Sequence, residues 1–290
     1  MTTTEQPGAT TGSVIETGTD DLIGQKIGHV AVLTFNRPER RNALSAGVYT
    51  GFSNALPAIA ADPDVRVLMI TGAGGAFCAG GDVKAMNENN KAAASGSAGA
   101  APAAVEAKVA DLRARQRQVS LALRQLPQPV VAALPGAAAG AGFSIALAAD
   151  LRIAAERAVL VTAFSGVGGS GDFGGSWFLT HLVGSAKAKE LYFLSPRMTA
   201  AEAEQLGIIN KVLPDDGFDQ AALDYCNVLA DRAPIALKYM KENINRAQLV
   251  GLADALDAEA PAMVRTMSSA DHREAAAAFV EKRDAIFKGI

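Results

Sequence analysis

The sequence predicts an α/β protein whose core repeats a ββα unit and whose C-terminal part is helical. Short apolar segments such as Val67–Thr71 and Val130–Leu134 have the length of buried strands. Each is followed by a glycine-rich turn, and segments with helical spacing come between the strands. From residue 215 to residue 290 the spacing is helical throughout. We therefore expect an alternating core over residues 21–214 and a helical region over 215–290.

Composition excludes several classes of protein. The chain has 290 residues, of which 49% are hydrophobic, enough for a large core. Its net charge of −3 lacks the basic surplus of a nucleic-acid-binding protein, and no apolar run is long enough to cross a membrane. Two cysteines suit a reduced cytoplasm better than a disulfide framework. Three histidines without paired Cys or His spacing give no metal site.

The N-terminal elements follow in order. Residues 1–20 lack a basic start and an apolar stretch, so we expect a disordered tail and not a signal peptide. The run His29–Phe35 predicts a strand, and helical spacing extends over Ala43–Ala61. Between them lies a polar turn with three arginines, a composition that usually marks a solvated turn.

A first glycine-rich loop, GAGGAFCAGGD, follows the strand Val67–Thr71 and ends at Asp82. After it, residues 87–104 are rich in alanine, glycine and serine and have little to bury, which predicts a flexible loop. This loop would serve either as a spacer or as a lid over a ligand. Helical spacing returns over Val105–Gln125.

A second glycine-rich loop follows the strand Val130–Leu134. Pro135-Gly136 and a run of small residues to Gly142 lead into an apolar helix, Phe143–Ala149. Backbone N–H groups of such a turn can approach a ligand, and the helix start adds partial positive charge. The same small residues also suit close packing of a helix on a strand, so this stretch alone leaves both interpretations open.

The rest of the chain continues the alternation and then becomes helical. Gly207 has the position of a helix C-cap before the last strand. The predicted elements are the helices Ala186–Leu194 and Thr199–Gln205, the strand Ile208–Leu213, and the helices Ala221–Arg232, Pro234–Arg246, Leu252–Met267 and Ala270–Phe287.

Three segments in this order resemble the crotonase (enoyl-CoA hydratase/isomerase) superfamily: AFCAGGDVKAM, PVVAALPGAAAGAG and LGIINKVLPDD. The resemblance runs from about Ile27 to the C-terminus. It implies a crotonase-type spiral of ββα units, with C-terminal helices that build a homotrimer or a dimer of trimers. It also implies an acyl-CoA substrate and no cofactor beyond the coenzyme A moiety of that substrate.

The resemblance also implies contacts with coenzyme A. The arginine turn would lie beside the coenzyme, although arginine–phosphate pairing depends on geometry that a sequence does not reveal. A lysine of the last helix approaches the adenosine phosphates in the family, and the alternative for this lysine is a solvent-facing position. The implied coenzyme-binding residues are Arg37, Arg40, Arg41, Ala79, Asp82 and Lys282. From sequence alone, Asp82 and Asp150 also suit structural caps or ion pairs.

By position in the family motifs, the backbone N–H groups of Gly81 and Ala141 would form an oxyanion hole for the thioester carbonyl. Each donor of such a site lowers the barrier by roughly 3 kcal/mol. Family hydratases carry two glutamates, at positions occupied here by Ser144 and Phe164. Neither residue can act as a general base. The buried serine more simply bonds to a carbonyl one turn earlier.

Asp172 is the candidate catalytic acid in a chain that lacks the two hydratase glutamates. It lies in the glycine-rich segment GVGGSGDFGGSWFL, which resembles the segment of dienoyl-CoA and ring-epoxide isomerases in which an aspartate shuttles protons. Phe164, Phe173 and Trp177 would desolvate it and raise its pKa. Alternatively, Asp172 caps a helix that begins at the next residues.

The predicted function is double-bond isomerisation of an enoyl-CoA through an enolate, with Asp172 as the single proton carrier. Hydration of a 2-enoyl-CoA is the alternative that the family name suggests, but it normally needs two carboxylates. Acyl-CoA hydrolysis and catalytically idle acyl-CoA binding are further alternatives. The presence of Asp172 argues against the idle protein.

Overall fold

The computed structural model describes residues 12–82 and 102–290 as a mixed α/β structure. The strands of these residues are β1 Ser13–Ile15, β2 Leu22–Ile27, β3 Val30–Phe35, β4 Val67–Gly72, β5 Val130–Leu134, β6 Ala138–Ala139, β7 Leu151–Ala155, β8 Val159–Val161, β9 Met198–Thr199 and β10 Lys211–Leu213. The helices are α1 Ala46–Ala61, α2 Pro102–Gln116, α3 Ala122–Gln125, α4 Ala141–Ala148, α5 Gly175–Leu194, α6 Ala200–Gln205, α7 Phe218–Ala230, α8 Pro234–Ala247, α9 Leu252–Met267 and α10 Ala270–Glu281. A segment of π-helix, Arg117–Leu121, joins α2 to α3.

Two sheets form the core. The large sheet has the order β1-β2-β3-β4-β5-β7-β10, and the small sheet has the order β6-β8-β9. From β3 to β10 the neighbouring strands of the large sheet are parallel, whereas β1 and β2 are antiparallel. Two successive units, β5-β6-α4 and β7-β8-α5, each place one strand in each sheet before a helix. This arrangement is the predicted ββα repeat.

Side chains of the large sheet alternate between two apolar layers. In β4, Leu68 and Ile70 pack in the layer that contains α1, α4 and α5. Val67 and Met69 face the opposite way and pack with α7. Both faces of the parallel sheet are therefore covered, which explains why its strands are continuous apolar runs.

A buried ion pair joins the C-terminal region to the core. Lys241 of α8 places its Nζ 2.7 Å from Oδ2 of Asp150. The same Nζ donates to the carbonyl oxygens of Leu123 and Gln128 at 3.3 and 3.0 Å. Asp150 also accepts the N–H of Val130 at 2.7 Å. Because both charged groups are satisfied, the pair fixes α8 against the end of α3.

We expect Lys241→Ala to lower the free energy of unfolding by about 3 kcal/mol, because Asp150 would keep a buried charge without its partner. Urea unfolding followed by circular dichroism measures this change. Lys238→Ala is the matched control, since Lys238 forms an exposed pair with Glu242 at 3.9 Å. The control should lose less than about 1 kcal/mol. Equal losses in the two variants would contradict a stabilising role of the buried pair.

Part of the N-terminal segment predicted to be disordered forms a strand. Residues 1–11 of the predicted disordered segment 1–20 lie outside the described residues. For residues 13–15 the prediction is wrong, because they form β1, with Ser13 opposite Lys26 of β2. Backbone hydrogen bonds to the edge of a sheet order this polar segment, although it has little apolar surface to bury.

Three helix boundaries also differ from the predictions. Residues 87–101 of the predicted flexible loop lie outside the described residues, and helix begins at Pro102, so the loop does not extend to residue 104. Helix α5 begins at Gly175 and continues across a break at Gly184 into the predicted helix 186–194. The last helix ends at Glu281, since Lys282 has a φ of 55°.

Candidate active site

The two glycine-rich loops lie side by side at one end of the sheets. Ala139 donates its N–H to the carbonyl oxygen of Cys78 at 3.0 Å. Gly80 has a φ of 82°. A Cβ atom at position 80 would lie 2.6 Å from the carbonyl oxygen of Ala139 and 3.0 Å from the nitrogen of Ala141. Only glycine allows this close approach in the left-handed conformation.

Two backbone N–H groups at this contact have no hydrogen-bond acceptor within residues 12–82 and 102–290. Neither Gly81 nor Ala141 donates its N–H to any atom of the described residues. Ala141 is the first residue of α4, and the N–H groups of a first helical turn lack partners within the helix. The helix dipole adds partial positive charge there. Free donors of this kind can hold an oxygen atom that gains negative charge.

Asp172 is half-buried, and one oxygen of its carboxyl has no hydrogen-bond partner among the described residues. Its Oδ1 is shielded from solvent and bonds to no group of residues 12–82 and 102–290. Burial raises the pKa of Asp172 to about 6. The interpretation of Asp172 as a helix cap is wrong, because the N-cap of α5 is Gly174 and no side chain caps it. The carboxyl is therefore available to a ligand.

Phe164 provides an apolar wall near the Gly140–Ala141 turn. Its Cε1 would lie 3.9 Å from a Cβ atom at Gly140. The Phe164 ring stacks on the ring of Tyr192, with centroids 5.8 Å apart. The position that carries a glutamate in family hydratases thus presents only carbon atoms to the turn.

Phe173 and Tyr49 form a second aromatic pair. Their rings are parallel with centroids 6.0 Å apart, and the guanidinium carbon of Arg115 lies 4.6 Å from the Tyr49 centroid. Burial raises the pKa values of Tyr49 and Tyr192, and the charge of Asp172 raises both further. Asp172 therefore lies within electrostatic range of both phenols.

Ser144, Cys78 and Trp177 make contacts that have a structural role. Ser144 donates its hydroxyl to the carbonyl oxygen of Gly140 at 3.3 Å, as predicted for a buried serine in a helix. Cys78 is buried, and burial raises its pKa to about 12, so the thiol is unreactive. The ring of Trp177 packs against His181 and under Arg124, with distances of 4.0 and 4.5 Å. Trp177 borders a separate cavity of about 450 Å³ beside Phe173.

In the arginine turn, Arg37 binds protein groups, whereas Arg40 and Arg41 are exposed. Arg37 donates Nη1 to the carbonyl oxygen of Ala43 at 2.7 Å. Its guanidinium also lies 3.8 Å from Asp21 and 4.0 Å from Asp82. The structure therefore gives Arg37 and Asp82 a role in holding the turn, which is the alternative that the sequence left open for Asp82.

Arg40 and Arg41 are exposed beside the first glycine-rich loop. The carbonyl oxygen of Arg41 accepts the N–H of Ala79 at 3.0 Å. Lys282 is also exposed. The segment after it contacts Arg66, whose Nη2 donates to the carbonyl oxygen of Phe287 at 2.9 Å. Arg66 precedes β4, at the end of the sheet opposite to the arginine turn.

Tyr49 and Tyr192 are site residues that the sequence did not reveal. Tyr49 lies in α1, and Tyr192 lies near the end of α5. No motif marks them, and helical spacing alone would assign both to ordinary packing. Only the three-dimensional structure shows that the hydroxyl of such a tyrosine lies near other site residues.

Neither a metal cluster nor a membrane span is found in the described parts of the chain. In residues 12–82 and 102–290, no three His, Cys, Asp or Glu side chains are grouped as they would be around a metal ion. The helices of these residues lack the combination of length and apolar character that crossing a bilayer requires.

Comparison with known proteins gives consistent matches. The family model for enoyl-CoA hydratase/isomerase matches residues 25–289. A 1,2-epoxyphenylacetyl-CoA isomerase of Escherichia coli is 35% identical over 260 residues, which cover 90% of this chain and 95% of that protein. A short-chain-enoyl-CoA hydratase of Clostridium acetobutylicum is 33% identical over 265 residues, covering 91% of this chain and 96% of the relative.

Solved structures share the fold. The crystal structure of an enoyl-CoA hydratase from Polaromonas sp. JS666 superposes with a TM-score of 0.83 at 36% identity, covering 92% of this chain and 99% of that one. The family match spans the two glycine-rich loops, the Asp172 segment and the C-terminal helices. The chain is therefore an enzyme of the enoyl-CoA hydratase/isomerase family, within the crotonase superfamily.

Proposed function

We propose that this enzyme isomerises the double bond of an enoyl-CoA and that Asp172 carries the proton. The observation that supports this reaction is the state of Asp172: a half-buried carboxyl whose shielded Oδ1 has no partner among the described residues and whose pKa is raised to about 6. A carboxylate with a pKa near the working pH can both accept and return a proton. The hydroxyl of Ser144 and the ring of Phe164 occupy the positions of the hydratase glutamates and cannot replace a second carboxylate.

The reaction needs one proton carrier and one charge-stabilising site. Asp172 would remove a proton from the α carbon of a 3-enoyl-CoA, and the electrons of that C–H bond would move onto the thioester oxygen. The N–H groups of Gly81 and Ala141 would hold this oxygen. Asp172 would then return the proton to the γ carbon, which shifts the double bond to the α,β position. No atom is gained or lost, and the reaction requires no cofactor beyond the coenzyme A moiety of the substrate.

The binding of coenzyme A and the assembly of subunits complete the proposal. We assign Arg40 and Arg41 to the phosphates of the coenzyme, because both are exposed next to the first glycine-rich loop, which ends at Asp82. The C-terminal helices expose large apolar side chains, among them Leu252, Phe279 and Val280. Such a surface suits contact with further copies of the chain, and we propose a homotrimer or a dimer of trimers.

Product masses distinguish isomerisation from hydration. The purified enzyme is incubated with 3-enoyl-CoA and 2-enoyl-CoA thioesters of several chain lengths in water labelled with ¹⁸O. The products are separated from the substrate isomer by liquid chromatography and analysed by mass spectrometry. We expect products that retain the mass of the substrate and contain no label. Rapid incorporation of ¹⁸O with a gain of one water would support 2-enoyl-CoA hydration instead. Release of free coenzyme A would indicate a hydrolase, and tight binding without any product would indicate an idle protein.

The proposed role of Asp172 predicts the pH dependence of catalysis. A base must be deprotonated before it accepts a proton, and the pKa of Asp172 is raised to about 6. We therefore expect kcat/KM to rise as the pH increases through about 6 and to level off above about 7. Steady-state rates between about pH 4.5 and 8.5 measure this limb. A limb centred near 4, the ordinary value for an aspartate, would mean that the catalytic base is not buried.

A further inference from the structure

Tyr192 approaches the Asp172 loop because α5 folds back on itself. The helix is broken at Gly184, which has a φ of 76° and a ψ of 161°. The second half is fixed to β8 and its extension, since Thr162 donates its hydroxyl to the carbonyl oxygen of Leu191 at 2.8 Å. The end of α5 is thereby returned to the level of its own start, and Tyr192 lies beside the loop that carries Asp172.

Two glycines make room for the phenol on either side of Asp172. A Cβ atom at Gly171 would lie 2.8 Å from Cε1 of Tyr192. At Gly175 a Cβ atom would lie 2.5 Å from the Tyr192 hydroxyl and would overlap Oγ of Ser144. The loop that carries Asp172 therefore closes around the phenol at both of its ends. The position of the Asp172 loop therefore depends on the position of the Tyr192 ring.

The phenol is also connected to the other loop of the site. Burial raises the pKa of Tyr192 to about 12. The phenol therefore stays protonated at neutral pH. The Tyr192 and Ser144 hydroxyls lie near each other, since both would contact a Cβ atom placed at Gly175. Ser144 in turn donates to the carbonyl oxygen of Gly140, the residue before Ala141. The contacts Gly140–Ser144–Tyr192 thus join the turn that presents the Ala141 N–H to the loop that carries Asp172.

We infer that Tyr192 is a positioning residue for isomerisation: with Ser144, its hydroxyl sets the distance between the Asp172 carboxyl and the Ala141 amide. This inference rests on the proposed function, because it assigns those two groups to one reaction. The acid must reach both the α and the γ carbon of a substrate whose oxygen is held at the turn. Small displacements of a reacting group lower the rate strongly, by up to about 10²-fold for 1 Å.

Tyr192→Phe tests the inference, since it keeps the ring stacked on Phe164 and removes only the hydroxyl. We expect kcat to fall about tenfold with KM changed less than about twofold, because positioning and not substrate binding is lost. The acid limb of kcat/KM should move to lower pH, since a loosened loop exposes Asp172 to water. Ser144→Ala should have the same two effects. The double variant should be no slower than either single variant, because the two hydroxyls act in one chain of contacts.

Tyr225→Phe is the matched control and should leave kcat and the acid limb unchanged, since Tyr225 packs on the opposite face of the large sheet. An unchanged kcat in Tyr192→Phe, or a reduced kcat with an unshifted acid limb, would overturn the positioning role. Additive losses in the double variant would also overturn it. The same assays on Asp172→Asn separate the two proposals. If that variant is inactive while Tyr192→Phe is fully active, the proposed reaction stands and only the role of Tyr192 fails.

Discussion

Replacing Asp172 with asparagine is expected to lower kcat for double-bond isomerisation by about 10³-fold, the usual contribution of a positioned general acid–base group. Asparagine has nearly the same shape and keeps the loop packed, but it cannot accept a proton. Binding of acyl-CoA should persist, because the thioester oxygen and the coenzyme are held by other groups. Turnover of a 3-enoyl-CoA and the dissociation constant of a non-reactive acyl-CoA, measured in parallel, test the two statements.

The free energy of unfolding provides a control on the folding of Asp172→Asn. A carboxyl with a raised pKa binds its proton more tightly in the folded than in the unfolded state, so its ionisation destabilises the fold as the pH rises through about 4 to 6. The variant lacks this cost, and near pH 8 it should be at least as stable as the wild type. Asp216→Asn, at an exposed loop position, should change neither stability nor rate. Full turnover by Asp172→Asn would remove Asp172 from the mechanism.

Replacing Ala141 with proline is expected to lower kcat by about 10²- to 10³-fold, the cost of losing one oxyanion donor. Proline is compatible with the first position of a helix, where the missing N–H has no helical partner. The substitution therefore removes the proposed donor without breaking a hydrogen bond of α4. The proton transfer at Asp172 would still be possible, but the enolate oxygen would lose half of its stabilisation. Single-turnover rates with saturating 3-enoyl-CoA report this step.

Ala46→Pro is the control for the backbone change, because Ala46 is the first residue of α1 and is exposed. This control should retain wild-type kcat, and both proline variants should keep the circular dichroism spectrum of the wild type. If Ala141→Pro is folded and fully active, the Ala141 N–H does not hold the thioester oxygen. A loss of rate in both variants would mean that the effect comes from proline in a helix start and not from the missing donor.

Much of the fold was predictable because its determinants are local. The strand Val130–Leu134 and the helix Leu252–Met267 were predicted with the bounds that the structure has. A run of apolar residues bounded by proline and glycine, or a regular helical spacing, marks such elements without knowledge of the rest of the chain. β1 was not predicted, since its polar residues become a strand only by pairing with β2.

The candidate site was predicted in part. The two glycine-rich loops and Asp172 were identified from motif positions, and the structure brings the loops into contact at Gly80. The expected phosphate contact of Arg37 is taken up by Asp21, Asp82 and the carbonyl oxygen of Ala43. Whether an arginine binds a protein group or a phosphate depends on distances in the folded structure, and these distances cannot be obtained from the spacing of residues in the sequence.

The sequence by itself determined the order of strands, glycine-rich turns and helices, the family to which the enzyme belongs, and the presence of an aspartate where the hydratase glutamates are missing. These features depend on residue type and short spacing. Only the tertiary structure decided that Asp172 does not cap a helix, that its Oδ1 is buried without a partner among the described residues, and that Tyr192 lies against its loop. The physical reason is that burial and hydrogen-bond pairing arise between segments far apart in the chain. The break at Gly184 and the hydrogen bond from Thr162 to Leu191 together return Tyr192 to the site.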